Sequence, residues 1–184
     1  MMTISGTSRS AKFALAGLVC AAMAVLAPWA GAEEVTKAVC VLQGTEGSNV
    51  HGTVTFTQQD DGVLIEAHVM GLKPNSKHGF HIHQFGDISV KDGTGTGGHF
   101  NPAGHDHGAP DSDKRHAGDL GNLEADADGH AMYKRLDKTV KLNGDECILG
   151  RGIIVHAGTD DLKTQPTGDA GARIAQGVIG VGQP

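Results

Sequence analysis

At 184 residues with a formal net charge of −6, the chain is about the length of one domain, and its acidity argues against nucleic acid or an anionic membrane as partner. Aromatic residues make up only 4% of it, and its 28 glycines follow no strict period, which excludes a collagen-like rod.

The first 32 residues read as a segment to be removed. Residues 1–12 are polar, with Arg9 and Lys12 as their only charges; residues 13–29 (FALAGLVCAAMAVLAPW) are apolar and uncharged; Ala30-Gly31-Ala32 then supplies an A-x-A site. That order predicts a secretory signal peptide over 1–32, cut after Ala32. A membrane anchor is the alternative, but the apolar run is short for a span. Gly17-Leu18-Val19 ahead of Cys20 does not read as a lipoprotein box. The mature domain is then 33–184, enough for one hydrophobic core, with no membrane attachment and a periplasmic or extracellular location. Losing Arg9 and Lys12 takes the formal charge to −8.

Short alternating runs fill the rest. Residues 35–43, 50–57, 63–70, 78–84, 130–137, 147–155 and 173–179 read as strands, and a shorter one fits 117–124. Gly, Asn and Asp punctuate them, as at Asp60-Asp61-Gly62 and Asn143-Gly144. Seven or eight such strands and no amphipathic helical window predict an all-β antiparallel sandwich or barrel. Two segments, 85–116 and 157–172, carry no convincing strand or helix. Loops of that length in a compact domain are usually functional.

Seven of the eleven histidines fall between His78 and His116. His81 and His83 form an H-x-H pair on a predicted strand, where side chains two apart share a face and two imidazoles can meet one metal. Alone the pair is a weak signal. Its context is longer: GFHIHQFGD (79–87), GGHFNP (97–102), HDHGAP (105–110), RHAGDLGN (115–122), GRGIIVHAG (150–158) and GDAGARIAQGVIG (168–180). In this order the motifs resemble the copper/zinc superoxide dismutases, in the form of an exported bacterial-type precursor. The resemblance runs from Lys37 to Gly180.

The resemblance implies an eight-stranded Greek-key β-sandwich or barrel with two long functional loops, and one copper and one zinc per subunit. Copper would be held by His81, His83, His99 and His156, whose imidazoles suit both of its redox states. Zinc would be held by His99, His107, His116 and Asp119, a closed set of three nitrogens and one carboxylate. His99 would bridge the metals, one on each ring nitrogen, losing both N–H protons beside two cations. His107, eight residues after His99, fits the zinc spacing better than His105, while His51, His68, His78 and His130 match no ligand position. Asp160 would link His81 to His107. Arg173 would dock the substrate anion with its fixed donors, the bland alternative being a structural arginine at a strand start. The implied reaction is dismutation of superoxide to O2 and H2O2 by alternate reduction and oxidation of copper, with His99 and Arg173 as catalytic residues. A copper carrier on the same fold would lack a ligand or Arg173, and a non-catalytic adhesion module would not need two filled ligand sets.

Two departures from the family stand out. Its usual disulfide between the metal loop and the last strand has neither cysteine here: GDISVKDGTGTGG has none, and Gln176 stands at the partner position. No disulfide is predicted, Cys40 and Cys147 are expected to stay free, and the family's homodimer, which uses this loop, is in question. Second, the 157–172 loop is short, leaving Arg173 and, more weakly, Lys163 to steer superoxide toward an acidic protein.

Overall fold

The computed structural model describes Met2 and residues 33–184; the segment expected to be a signal peptide, with Cys20, otherwise lies outside the described residues. Residues 33–184 hold eight strands: β1 (Lys37–Gly44), β2 (His51–Gln59), β3 (Gly62–Met70), β4 (Lys77–His83), β5 (Asp119–Glu124), β6 (Ala131–Asp137), β7 (Gly152–His156) and β8 (Arg173–Val181). All pairings are antiparallel, in the order β5-β4-β7-β8-β1-β2-β3-β6. The connections from β3 to β4 and from β6 to β7 cross between the two halves, giving the expected Greek key. β5 and β6 end the order, and Tyr133 spans the seam between them. Its hydroxyl donates to the Leu120 carbonyl at 2.9 Å, and its ring meets Phe80 edge-on at 5.3 Å, so the sheet forms a nearly closed barrel.

Alternation builds the core. Ala38, Cys40 and Leu42 of β1, Val54 and Phe56 of β2, and Val63, Ile65, Ala67 and Val69 of β3 point inward, while their neighbours face outward or lie half-buried. Each fully buried large apolar side chain contributes about 1.5–3 kcal/mol. β4 departs from this pattern, because every residue from His78 to His83 is buried. Phe80 and Ile82 enter the core; His81 and His83 lie on the opposite face, which the two long loops cover.

Those loops run from β4 to β5 and from β7 to β8. The first carries one short 3-10 turn, Thr94–Thr96, within the segment expected to lack regular structure. A bridge between His83 and His99 draws it back against β4. The strand expected over 147–155 forms only from Gly152. Gly150 adopts φ 75°, and the Arg151 N–H donates to the Ile148 carbonyl, so the apolar run Cys147-Ile148-Leu149 is spent on a turn before the strand starts.

Candidate metal centre

The seven residues expected to bind metal come from four places in the chain and meet under the loops. β4 supplies His81 and His83, the first loop His99, His107 and His116, the first residue of β5 Asp119, and the last residue of β7 His156. All seven are buried. They form two ligand groups, His81/His83/His99/His156 and His99/His107/His116/Asp119, and the donor atoms within each lie within 4.8 Å of one another.

Ring hydrogen bonds divide the nitrogens cleanly. His81 Nε2 lies 2.9 Å from Asp160 Oδ2, His83 Nδ1 2.9 Å from the Gly97 carbonyl, and His156 Nδ1 3.0 Å from the Gly171 carbonyl. The opposite nitrogens (His81 Nδ1, His83 Nε2, His156 Nε2 and His99 Nε2) are buried without a partner. One such orphan costs about 1–3 kcal/mol. Four converging on one point fit a metal with four imidazole donors, and imidazole suits copper.

On the other side of His99, its Nδ1 lies 2.8 Å from Asp119 Oδ1 and 3.4 Å from His116 Nδ1. His116 Nδ1 is 3.2 Å from the same oxygen. His107 Nδ1 is 2.9 Å from it, yet out of line for a hydrogen bond. Zinc–nitrogen bonds of about 2.0–2.1 Å in a tetrahedron need donor separations only slightly wider, so three nitrogens and one carboxylate oxygen fit zinc. Asp119 Oδ2 accepts the backbone N–H groups of Gly108 and His116, which fixes the carboxylate. His99 therefore presents one nitrogen to each group.

The electrostatics of the His81/His83/His99/His156 group suit ligation. Burial drives the His81 imidazole down to about 3 and the His156 imidazole to about 4. Burial also holds His83 well below its ordinary value, and lowers His99 despite the opposing pull of Asp119. These rings are neutral at pH 7, as a ligand must be. At His107 burial pulls downward too, but Asp119 and Asp160 outweigh it and raise the imidazole to about 9. Burial would lift the Asp119 carboxyl; the His107, His116 and His99 imidazoles gathered on its Oδ1 hold it far below the usual carboxylate range.

Asp160 stands between the groups, with Oδ2 on His81 Nε2 and Oδ1 2.9 Å from His107 Nε2. Arg173 opens β8, half-buried. Its Nη1 donates to the Gly93 carbonyl and to Thr96 Oγ1 (2.9 Å), and its Nη2 to the Gly97 carbonyl (2.7 Å). Its charge is near enough to lower the His83 and His156 imidazoles further. His105 stays outside both groups, its Nδ1 3.3 Å from the Arg115 carbonyl. His78 is buried and hydrogen-bonded, through Nδ1 to the His156 carbonyl and Nε2 to Ser76 Oγ. His51, His68 and His130 are exposed. Cys40 and Cys147 are separate thiols, and burial pushes Cys40 up to about 12.

Several supporting residues escape the sequence reading. Asn122 exchanges two hydrogen bonds with the Asp160 backbone (2.8 and 2.9 Å), and Gln165 does the same with His107 (2.8 and 2.9 Å). Arg115 reaches the carbonyls of His116, Ala117 and Asp119 and pairs with the buried Asp137 at 2.5 Å. Gly168 lies against Asp160 and His107, and Thr96 against Arg173. Arg115, Asn122 and Gly168 lie inside the quoted motifs, which was the one available signal.

Residues 50–179 match the family described as copper/zinc superoxide dismutase. The chain belongs to that family. It is 49% identical over 155 residues to a Cu-Zn superoxide dismutase of Talaromyces marneffei, covering 80% of this chain and 99% of the relative. To one from Paramecium bursaria Chlorella virus 1 it is 49% identical over 153 residues, 79% of this chain and 80% of the relative. To one from Candida albicans it is 48% identical over 157 residues, 81% of this chain and all of the relative. The two ligand groups thus fall where the family's copper and zinc are expected.

Proposed function

We propose that this protein dismutates superoxide to O2 and H2O2 at a copper–zinc centre, outside the cytoplasm. The observation that carries the reading is His99, whose two nitrogens face two complete ligand groups. Copper held by His81, His83, His99 and His156 would supply the one-electron couple. Zinc held by His107, His116, Asp119 and His99 would keep the loop closed.

The protein's own groups do the rest. Arg173 Nε and one Nη2 hydrogen have no carbonyl partner and are available to a small anion. The guanidinium keeps its charge at any working pH, and offsets locally the repulsion an acidic protein exerts on an anion. His99 Nε2 can carry a proton when it is not a ligand, and can pass it to the departing peroxide. Asp160 holds His81 and His107 with Nδ1 free for metal. Lys163, exposed on the short second loop, adds a weaker attraction.

Export rests on the charged, apolar and small-residue order of residues 1–32, and N-terminal sequencing of the exported protein should begin at Glu33. Among the described residues no helix is long and apolar enough to cross a membrane. A homodimer belongs to the same reading: Phe85 and Val90 of the first loop are exposed. The deciding experiment is metal analysis of the mature protein beside a superoxide-decay assay, with Arg173→Ala. Copper and zinc near one each, with activity that falls in the variant, is expected. Two bound metals without activity would refute the reading and favour a copper carrier.

A further inference from the structure

The hydroxyl of Thr96 occupies a junction that neither the ligand groups nor Arg173 explains. Thr96 is fully buried in the short turn of the first loop. Its Oγ1 donates to the Gly93 carbonyl at 3.0 Å and accepts from Arg173 Nη1 at 2.9 Å. The same oxygen lies 3.3 Å from His83 Nδ1, the N–H side of a ring whose other nitrogen, buried without a partner, belongs to the group that would hold copper. A hydroxyl has one donor and two acceptor positions; the donor and one acceptor are used in full, and the second acceptor takes the weaker share of the His83 N–H, which the Gly97 carbonyl accepts at 2.9 Å. No other hydroxyl among the described residues touches both Arg173 and a ligand histidine.

We infer that Thr96 is a positioning residue for anion docking: its hydroxyl fixes the Arg173 guanidinium relative to His83, and so relative to copper. Two facts make this more than packing. Arg173's other partners in the loop are carbonyls of Gly93 and Gly97, residues of the loop that no disulfide anchors. The Gly97 carbonyl also joins the guanidinium to the copper side, accepting from Arg173 Nη2 and His83 Nδ1, but the Thr96 hydroxyl is the only side chain among the described residues that does so, and it ties Arg173 Nη1 to the Gly93 carbonyl as well. Without it, Arg173 keeps its charge but loses one of the contacts that aim it, and a hydrogen bond to a charged group is among the stronger ones.

The inference rests on the docking role given to Arg173, and the test separates the two. Azide, a small monovalent anion, is titrated spectroscopically into the copper-loaded protein, with copper and zinc content measured in parallel. Thr96→Val, nearly isosteric, should bind azide roughly tenfold more weakly with both metals retained, and Thr96→Ser should stay within about twofold of wild type. In an Arg173→Ala background, Thr96→Val should add less than about twofold, because it acts through the arginine. Wild-type azide affinity in Thr96→Val overturns the inference, and so does the same loss in both backgrounds. If Thr96→Val does not hold copper, Thr96→Ala takes its place under the same criteria. Copper loss from both, with Thr96→Ser loaded, also overturns it, since Thr96 would then support the ligands and not the arginine. If Arg173→Ala itself leaves azide affinity unchanged, the docking role falls and this inference with it.

Discussion

Replacing Gly168 with alanine should uncouple the two halves of the metal centre. Gly168 has φ +70°, and a Cβ built there would stand 1.9 Å from Asp160 Oδ1 and 2.7 Å from His107 Nε2. Neither neighbour is a free side-chain end: Asp160 Oδ1 also accepts the Leu162 N–H at 2.7 Å, and Gln165 clamps the His107 backbone. The left-handed conformation alone costs a non-glycine residue about 1–2 kcal/mol. Parting Asp160 from His107 loses a charge-assisted hydrogen bond of about 1.5–3 kcal/mol. Together these predict roughly 3–4 kcal/mol of destabilisation, or a fall in Tm of about 10 °C for a domain of this size. Losing a carboxylate that orients a ligating histidine weakens metal binding about 10–100-fold. The assay is thermal unfolding of metal-stripped protein, with zinc competition against a chromophoric chelator. A variant with wild-type Tm and zinc affinity would refute the claim that Asp160 and His107 are held at this distance by the bare backbone of Gly168.

Other outcomes follow from the same coordinates. In metal-stripped protein, His81, His83 and His156 have folded values below the ordinary 6.5 or so, so the unfolded chain takes up protons first and stability falls as pH drops from about 6.5 toward 4. His107 is raised to about 9, so its contribution is complete below about 6.5 and is lost as pH rises through 9. Urea midpoints across that range should therefore peak near neutrality, and a midpoint that stays flat from pH 6.5 to 4 would contradict the acid limb. Thiol titration of unfolded, unreduced mature protein should count two thiols, Cys40 and Cys147; a count of zero would mean that they pair. Asp137→Ala leaves Arg115 charged and buried without its carboxylate, and should cost about 3–5 kcal/mol in chemical denaturation; a loss under 1 kcal/mol would mean that the carbonyls around Arg115 suffice.

The barrel was legible because its strands alternate, and alternation is a local property. It misled only at Cys147-Ile148-Leu149, where an apolar run reads as strand but Gly150 turns the backbone. The candidate ligands His81, His83, His99, His107, His116, Asp119 and His156 were legible through the motifs that resemble the family, since side-chain type alone does not separate them from His78 or His105. Asn122, Gln165 and Gly168 were not. Asn122 and Gln165 act on backbone groups 38 and 58 residues away, and Gly168 acts by lacking a side chain, so neither composition nor spacing marks them. Thr96 was hidden for a related reason: in a Gly- and Thr-rich loop nothing distinguishes the one hydroxyl that meets Arg173.

Without a disulfide, something else must hold the first loop to β8. Gln176, buried where the family usually has cysteine, reaches the Ile88 and Val90 carbonyls, but at 3.4 and 3.3 Å, and its Oε1 has no partner. Two long amide contacts contribute at most about 0.5–1.5 kcal/mol each, against about 2–4 kcal/mol for a typical disulfide. The better-formed ties from β8 to this loop are those of Arg173, to Gly93, Thr96 and Gly97. The residue proposed to dock the substrate anion is therefore also the loop's main anchor. Removing it should loosen His83 and His99 as well as the docking position, because Gly97 holds His83 and immediately precedes Gly98 and His99. Lost activity in Arg173→Ala is evidence for docking only when copper content is unchanged; Arg173→Lys, which keeps the charge but not the forked donors, separates the anchor from the charge.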